Sequence, residues 1–249
     1  MDSITNKIEL KKYLESNNNE VGMKYCIDWL KNRKQEKNIE YQLSEFECKS
    51  LCFPSIIYIE KKFGLGSYSK ITEMADLKLR YLYSDSIKYN NDELEIICDT
   101  REQNLLSFKN IQIEKLDYGD YYCHNGNNPV SIERKSLVDL VGTISQGYDR
   151  FKKEIERCKA DNNYLVVVVE EKYNHLLSFS YLPHMKMVRA SETFILHRIR
   201  KLIQEYPFTI QFLSVDGRKE SSRVIEKIFN IRDNIKTIDL QWLYNKKIL

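Results

Sequence analysis

The run Leu165-Val-Val-Val-Val169 constrains this chain more than any other stretch. It is continuously apolar, almost entirely β-branched, and shows no polar alternation. It therefore predicts a strand buried on both faces. Glu170 and Glu171 close it in charge. Around it, strand and helix signals alternate. Leu94–Cys98, Ile111–Lys115, Tyr121–Cys123, Ser131–Lys135 and Phe208–Leu213 read as strands. Leu137, Leu140, Val141 and Ile144 share one helical face, and amphipathic helices follow over 150–160, from Ser191 through Gln204, and over 221–229. That alternation is the signature of an α/β domain.

The first part of the chain has a different texture. Ile8, Leu10, Tyr13 and Leu14 suggest a short helix that ends at Asn17-Asn18-Asn19, and Val21 to Asn32 gives a second. Lys31, Arg33, Lys34 and Lys37 then form a basic run, either a solvated helix end or a phosphate contact. Pro54 and Ser55 start a further helix that Gly64 ends, and another begins at Ser67. Two short helices joined by a glycine turn resemble a helix-turn-helix. Polar residues from Tyr81 to Asp92 mark the boundary. The expected organisation is a small all-α domain over residues 1–90, a candidate for DNA binding, followed by the α/β domain over 91–249.

Bulk properties exclude more than they assert. With 249 residues, 42% hydrophobic and 30% charged, the chain can bury a core. No apolar run approaches the roughly 20 residues of a membrane span, and Met1-Asp-Ser-Ile-Thr-Asn-Lys lacks a signal-peptide core. A net charge of +3 permits nucleic-acid binding without arguing for it. The six cysteines are scattered; Cys48 and Cys52 have metal-like spacing but no second pair completes a site. Free thiols in a reducing compartment are expected, hence an intracellular, cytoplasmic protein (nuclear if eukaryotic) and not a secreted one.

The chemistry concentrates in Ser131-Ile-Glu-Arg-Lys-Ser-Leu-Val-Asp139, read with Gly119-Asp120 upstream. Strand periodicity puts Glu133 and Lys135 on one face. Asp120 starts the facing hairpin strand, and Asp99 ends another strand, where α/β sheets place ligand sites. Acids crowded at one edge repel each other unless a cation or a lysine intervenes. A hard cation such as Mg²⁺ takes one or two carboxylates plus the substrate's own oxygens. Asp120 with Glu133-x-Lys135 can thus hold a divalent cation and a water beside a phosphodiester. Ser136-x-x-Asp139 is also a helix-capping pattern, so Asp139 is either a cap or an edge residue of the site. Arg134 points away from Glu133 on an ideal strand, yet near the strand end it could reach a phosphate. Arg101 either joins the site or pairs with Asp99 or Glu102.

Here a resemblance enters. Ile97-Cys-Asp-Thr-Arg-Glu102, Leu116-Asp-Tyr-Gly-Asp-Tyr121 and Ile132-Glu-Arg-Lys-Ser-Leu-Val-Asp-Leu140 resemble, in order and spacing, the motifs of the XPF/ERCC4 nuclease family. The match spans roughly residues 93 to 230, in a short form similar to phage or bacterial proteins. The resemblance implies a restriction-endonuclease-like fold, a central mixed sheet flanked by helices. It implies Mg²⁺- or Mn²⁺-dependent cleavage of flap, fork or branched DNA in repair, recombination or replication. It implies that Asp99, Asp120, Glu133 and Lys135 are catalytic: Asp120 and Glu133 as metal ligands, Asp99 as a direct or water-mediated third, and Lys135 as the residue that orients or deprotonates the attacking water. Arg101, Glu102, Arg134 and Asp139 support them.

The family's Gly-Arg-x-x-x-Gln reads Gly147-Tyr-Asp-Arg150 and then Glu154 here, so Arg150 stands in for the arginine and the glutamine becomes an acid. No tandem helix-hairpin-helix module is expected after the nuclease motifs. Either the N-terminal helices substitute for it or a second subunit, identical or different, does. Arg198, Arg200 and Lys201 are candidates for backbone contacts, and Phe179 and Tyr181 for base stacking. The alternative is a non-catalytic DNA-binding subunit.

Overall fold

The computed structural model of the chain describes residues 4, 6–90, 93–179 and 190–249. Their contacts divide the chain into two compact units, Met1–Tyr83 with Gln241–Ile248, and Ser84–Leu240 with Leu249. Tyr181, a stacking candidate, lies outside the described residues.

The first unit begins with α1 (Lys7–Ser16) and α2 (Asn19–Lys37). The three asparagines separate them as expected: Asn17 ends α1 in an extended conformation, and the Asn18 side chain caps the N–H of Val21. The second helix runs on through the basic segment to Asn38, which ends it in a left-handed conformation. Then come α3 (Glu45–Lys49), α4 (Ile56–Phe63) and α5 (Ser67–Met74). Gly64 and Gly66, both at positive φ, make the joint between α4 and α5. Leu10, Leu14, Leu30, Phe46, Ile56, Ile59 and Ile71 are buried here. Arg80 and Glu47 form an ion pair at 3.0 Å with both side chains fully buried.

The second unit carries β1 (Ile96–Asp99), β2 (Ile111–Glu114), β3 (Tyr121–Cys123), β4 (Val130–Lys135), α6 (Leu137–Ser145), α7 (Tyr148–Ala160), β5 (Tyr164–Val169), α8 (Tyr173–Leu176), α9 (Glu192–Glu205), β6 (Ile210–Ser214) and α10 (Arg218–Asn230). The strands form one sheet in the order β2-β1-β3-β4-β5-β6. The hairpin strand β3 runs antiparallel to β1 and to β4, while β1–β2, β4–β5 and β5–β6 are parallel pairs. The sheet is therefore mixed, and helices flank it. Every residue of β5 is buried, as its unbroken valine run requires. Parallel pairing of β4 with β5 brings Lys135 level with Val169, so charged strand ends collect at one edge. A last helix, α11 (Leu240–Asn245), had no counterpart in the sequence reading. Its Trp242 and Leu243 are buried, and the Trp242 ring meets Tyr83 at 5.4 Å, within the first unit.

Candidate active site

Strand β4 alternates as its period demands. Glu133 and Lys135 lie on one face, with Ser131; Arg134 points to the other. Glu133 is 6% exposed, and Lys135 donates to its Oε1. Asp120 reaches the same place from the tight turn before β3. Its N–H donates to Ile132 O at 2.7 Å, and its Oδ2 accepts from the Arg134 N–H at 2.7 Å. The turn depends on Gly119, at φ +73°, where a Cβ would stand 3.0 Å from Ile132 O and 3.2 Å from Ser131 Cβ. Only glycine combines that backbone with that closeness.

Electrostatics set this pair of acids apart. Burial, and then the charge of Asp120, push Glu133 up to about 8 against the pull of Lys135. Burial likewise pushes Asp120 up to about 6, against the Arg134 N–H and the Lys135 charge. Lys135 itself stays an ammonium: burial opposes its charge, but Glu133 and Asp120 more than compensate. One lysine thus serves two carboxylates, Glu133 buried and Asp120 half-buried. Asp120 Oδ1 and Glu133 Oε2 accept no hydrogen bond among the described residues.

Asp99 takes a different course. Its Oδ1 accepts from Arg101 N at 2.8 Å and Arg101 Nε at 2.6 Å; its Oδ2 accepts from Leu116 N at 2.7 Å and Arg101 Nη2 at 3.1 Å. Burial alone would raise its pKa, yet the Arg101 side chain and these two backbone N–H groups hold it below the ordinary value. Among the described residues no three His, Cys, Asp or Glu side chains are grouped to hold a metal ion. The expected set of Asp99, Asp120 and Glu133 is not assembled as three ligands, because Arg101, two residues along the chain, wraps back onto Asp99.

The family model for the ERCC4 domain matches residues 91–228, more than half of the chain. The chain belongs to the ERCC4 domain family. Among solved structures it is similar to XPF from Aeropyrum pernix, at 18% identity and a TM-score of 0.41, covering 54% of this chain and 64% of that one. It is also similar to XPF from Aeropyrum pernix in complex with DNA, at 18% identity and a TM-score of 0.40, covering 61% and 65%. The chain spans less than two thirds of either. No curated protein matches it.

Within this ERCC4 domain, the remaining candidates divide between structural duty and open surface. Arg134 is 7% exposed and fully engaged. It forms a two-pronged contact with Glu170 at 2.9 and 3.0 Å, and its Nη1 reaches Asn104 O at 2.8 Å, Glu102 Oε2 at 3.3 Å and the Tyr121 hydroxyl at 3.3 Å. Its guanidinium knits three segments together, and Glu102 serves that knot. Asp139 is exposed on the first turn of α6, where its N–H donates to Ser136 Oγ at 3.1 Å and its carboxylate accepts from that hydroxyl at 2.6 Å. Arg198 donates to Ile144 O at 2.9 Å and Ser145 O at 2.8 Å, and stacks over Tyr148 and Phe194. It satisfies the last carbonyls of α6. Arg200 is half-buried, whereas Arg150 and Lys201 are exposed. Glu154 on α7, outside the candidate set drawn from sequence, accepts from the Gly119 N–H at 3.1 Å. The one signal for it was its departure from the family's glutamine.

ERCC4 nucleases generally depend on a divalent metal. Asp120 and Glu133 fit such an ion. They offer hard oxygen donors with unused lone pairs, and burial raises both against the pull of Lys135. Asp99, with both oxygens committed to Arg101 and backbone N–H groups, does not fit as a direct ligand.

Proposed function

We propose that this chain is a divalent-metal-dependent DNA endonuclease acting on flap, fork or branched substrates. The observation that carries this reading is the pair of acids, half-buried Asp120 and buried Glu133, sharing Lys135 in a member of the ERCC4 domain family. Asp120 Oδ1 and Glu133 Oε2 would hold Mg²⁺ or Mn²⁺. When bound, the ion neutralises these acids and draws charge from the scissile phosphate. Lys135 Nζ hydrogen-bonds the attacking water and faces the negative charge carried by the phosphoryl oxygens. Glu133 and Asp120 keep it an ammonium, which supports the role of donor over that of base. Hydrolysis breaks the P–O3′ bond, leaving a 5′-phosphate and a 3′-hydroxyl. The water's proton leaves to solvent, and the departing 3′-oxygen takes up a proton from solvent. Asp99 fixes Arg101 and the Leu116 turn, and Arg134 fixes the loop that holds Glu102 and Asn104.

For backbone contacts, Arg150 and Lys201 are open and Arg198 is committed. In the N-terminal unit, Lys31 and Lys37 are exposed, whereas Lys34 is bound to Asp76. Substituting Lys31 and Lys37 by glutamate probes DNA binding there better than deletion, since deletion would uncover Trp242.

The test incubates the protein with Mn²⁺ or Mg²⁺ and labelled flap, fork, splayed-arm and linear DNA, alongside Glu133→Gln and Lys135→Ala. Cleavage by the wild type, lost in both variants, supports the reading. Metal-independent binding without cleavage of any substrate makes the chain a non-catalytic DNA-binding subunit instead.

A further inference from the structure

The turn that carries Asp120 is held residue by residue from one side. Arg157 Nη2, on α7, donates to Asp117 O at 3.2 Å. Asn163, just beyond α7, donates to the Tyr118 hydroxyl at 3.2 Å. Glu154 Oε1 accepts from the Gly119 N–H at 3.1 Å. On its other side Gly119 already stands against Ile132 and Ser131, so the turn cannot move toward β4. Glu154 therefore sits where it fixes the approach of Asp120 to Glu133.

A glutamine at this position could accept the same hydrogen bond through its amide oxygen. The hydrogen bond does not explain the acid; charge does. Glu154 Oε2 accepts no hydrogen bond among the described residues, and its charge acts on Glu133, Lys135 and Arg101 together. Arg101 is already matched by Asp99. Once Asp120, Glu133 and Glu154 are all ionised, as a bound cation requires, they leave against Lys135 a deficit of two positive charges, which one divalent ion meets. With glutamine in place of Glu154 the deficit would be one.

We propose that Glu154 is a positioning residue of the active site with a second effect: it anchors the Asp120 turn through Gly119, and its carboxylate strengthens the site's hold on a divalent cation. The proposal rests on the metal-dependent reading above. It assigns Glu154 no contact with the ion, so the effect runs through charge and through the turn.

Titration of the full chain with Mn²⁺ in a calorimeter, without DNA, tests it, together with thermal unfolding of the metal-free protein. Glu154→Gln keeps the acceptor and removes the charge. It is expected to weaken Mn²⁺ binding by about tenfold while leaving Tm unchanged. Glu154→Ala removes both, and is expected to weaken Mn²⁺ binding at least as much and also to lower Tm. A purely structural Glu154 would move Tm in the alanine variant but leave Mn²⁺ affinity intact in the glutamine variant, and that outcome overturns the proposal. Glu133→Gln separates the two levels. If it abolishes Mn²⁺ binding while Glu154→Gln binds as wild type, the metal-dependent reading stands and only the role of Glu154 falls. If the wild type binds no Mn²⁺, both fall.

Discussion

Asp99 and Glu133 are both buried carboxylates on strands of one sheet, 2% and 6% exposed, and they meet opposite electrostatic fates. Asp99 accepts four hydrogen bonds, two from backbone N–H groups and two from a guanidinium, and its pKa is lowered. Glu133 has Lys135 on one oxygen, shares that lysine with Asp120, and is raised. Burial is common to both, so burial does not tell the structural acid from the proposed reactive one. What marks it is an unmet demand for positive charge, which a structural acid has already satisfied from within the chain.

The sharpest way to break this comparison is to neutralise each acid without changing its shape. Glu133→Gln should lower Mn²⁺-dependent cleavage by about a thousandfold or more, with circular dichroism and Tm showing a folded protein. Asp99→Asn should leave cleavage measurable at saturating metal. If Asp99→Asn abolishes cleavage as fully as Glu133→Gln while its Tm stays at the wild-type value, Asp99 is a direct participant and the contrast collapses.

The opposite face of β4 gives the next largest effect, on stability. Arg134 lies one residue from Glu133 yet belongs to the satisfied class, joined to Glu170, Glu102 and Asn104. Removing it leaves two largely buried acids without their cation. Arg134→Ala should therefore cost about 3 kcal/mol or more, read from urea unfolding, and should lower activity only in proportion to the folded fraction at partly unfolding temperatures. Lost activity in a variant of unchanged stability would assign Arg134 to the substrate instead.

How much of this was legible in the sequence depends on the range of the interaction. The buried β5, the β3–β4 hairpin and the helix caps at Ser136 and Ser191 follow from local pattern, and they appear as expected. Ser44 and Glu47 form a capping box that starts α3, a local signal that was present and went unread. By contrast, Arg198 reads as part of a basic helix face, but the carbonyls that it satisfies lie more than fifty residues earlier. Its commitment becomes visible only once α6 and α9 pack. The short α11 groups with the first unit by contacts across the length of the chain, for which no periodicity speaks. Asp99 fell between these cases. Its ion pair with Arg101 was one of two open readings, and Thr100 makes the turn that decides it.

The smallest effect is one of shape, in the pH dependence of metal-free stability. Glu133 titrates in the folded chain near 8 and ordinarily at 4.5. A raised group contributes stability that is fully present below its unfolded value and is lost as pH rises through the folded value, so Glu133 should erode Tm between about pH 5 and 8. Asp99 is held below its ordinary 3.8. A lowered group contributes stability that is present above the unfolded value and is lost as pH falls through the folded one, so Asp99 should erode Tm on the acid side, below about pH 4. Glu133→Gln, which mimics the protonated acid, should flatten the alkaline limb above about pH 6, where Asp120 no longer contributes, and leave the acid limb. Asp99→Asn should do the reverse, from a baseline lower by about 1–3 kcal/mol because its new amide cannot accept all four hydrogen bonds. Saturating Mn²⁺ should flatten the alkaline limb of the wild type as Glu133→Gln does, since a bound cation offsets the burial and the Asp120 charge that raise Glu133. Asp120, raised to about 6, adds its own erosion at the lower end of the alkaline limb, so the diagnostic window is above about pH 6: erosion there that survives in Glu133→Gln would mean that the two acids do not differ in the way that their surroundings dictate.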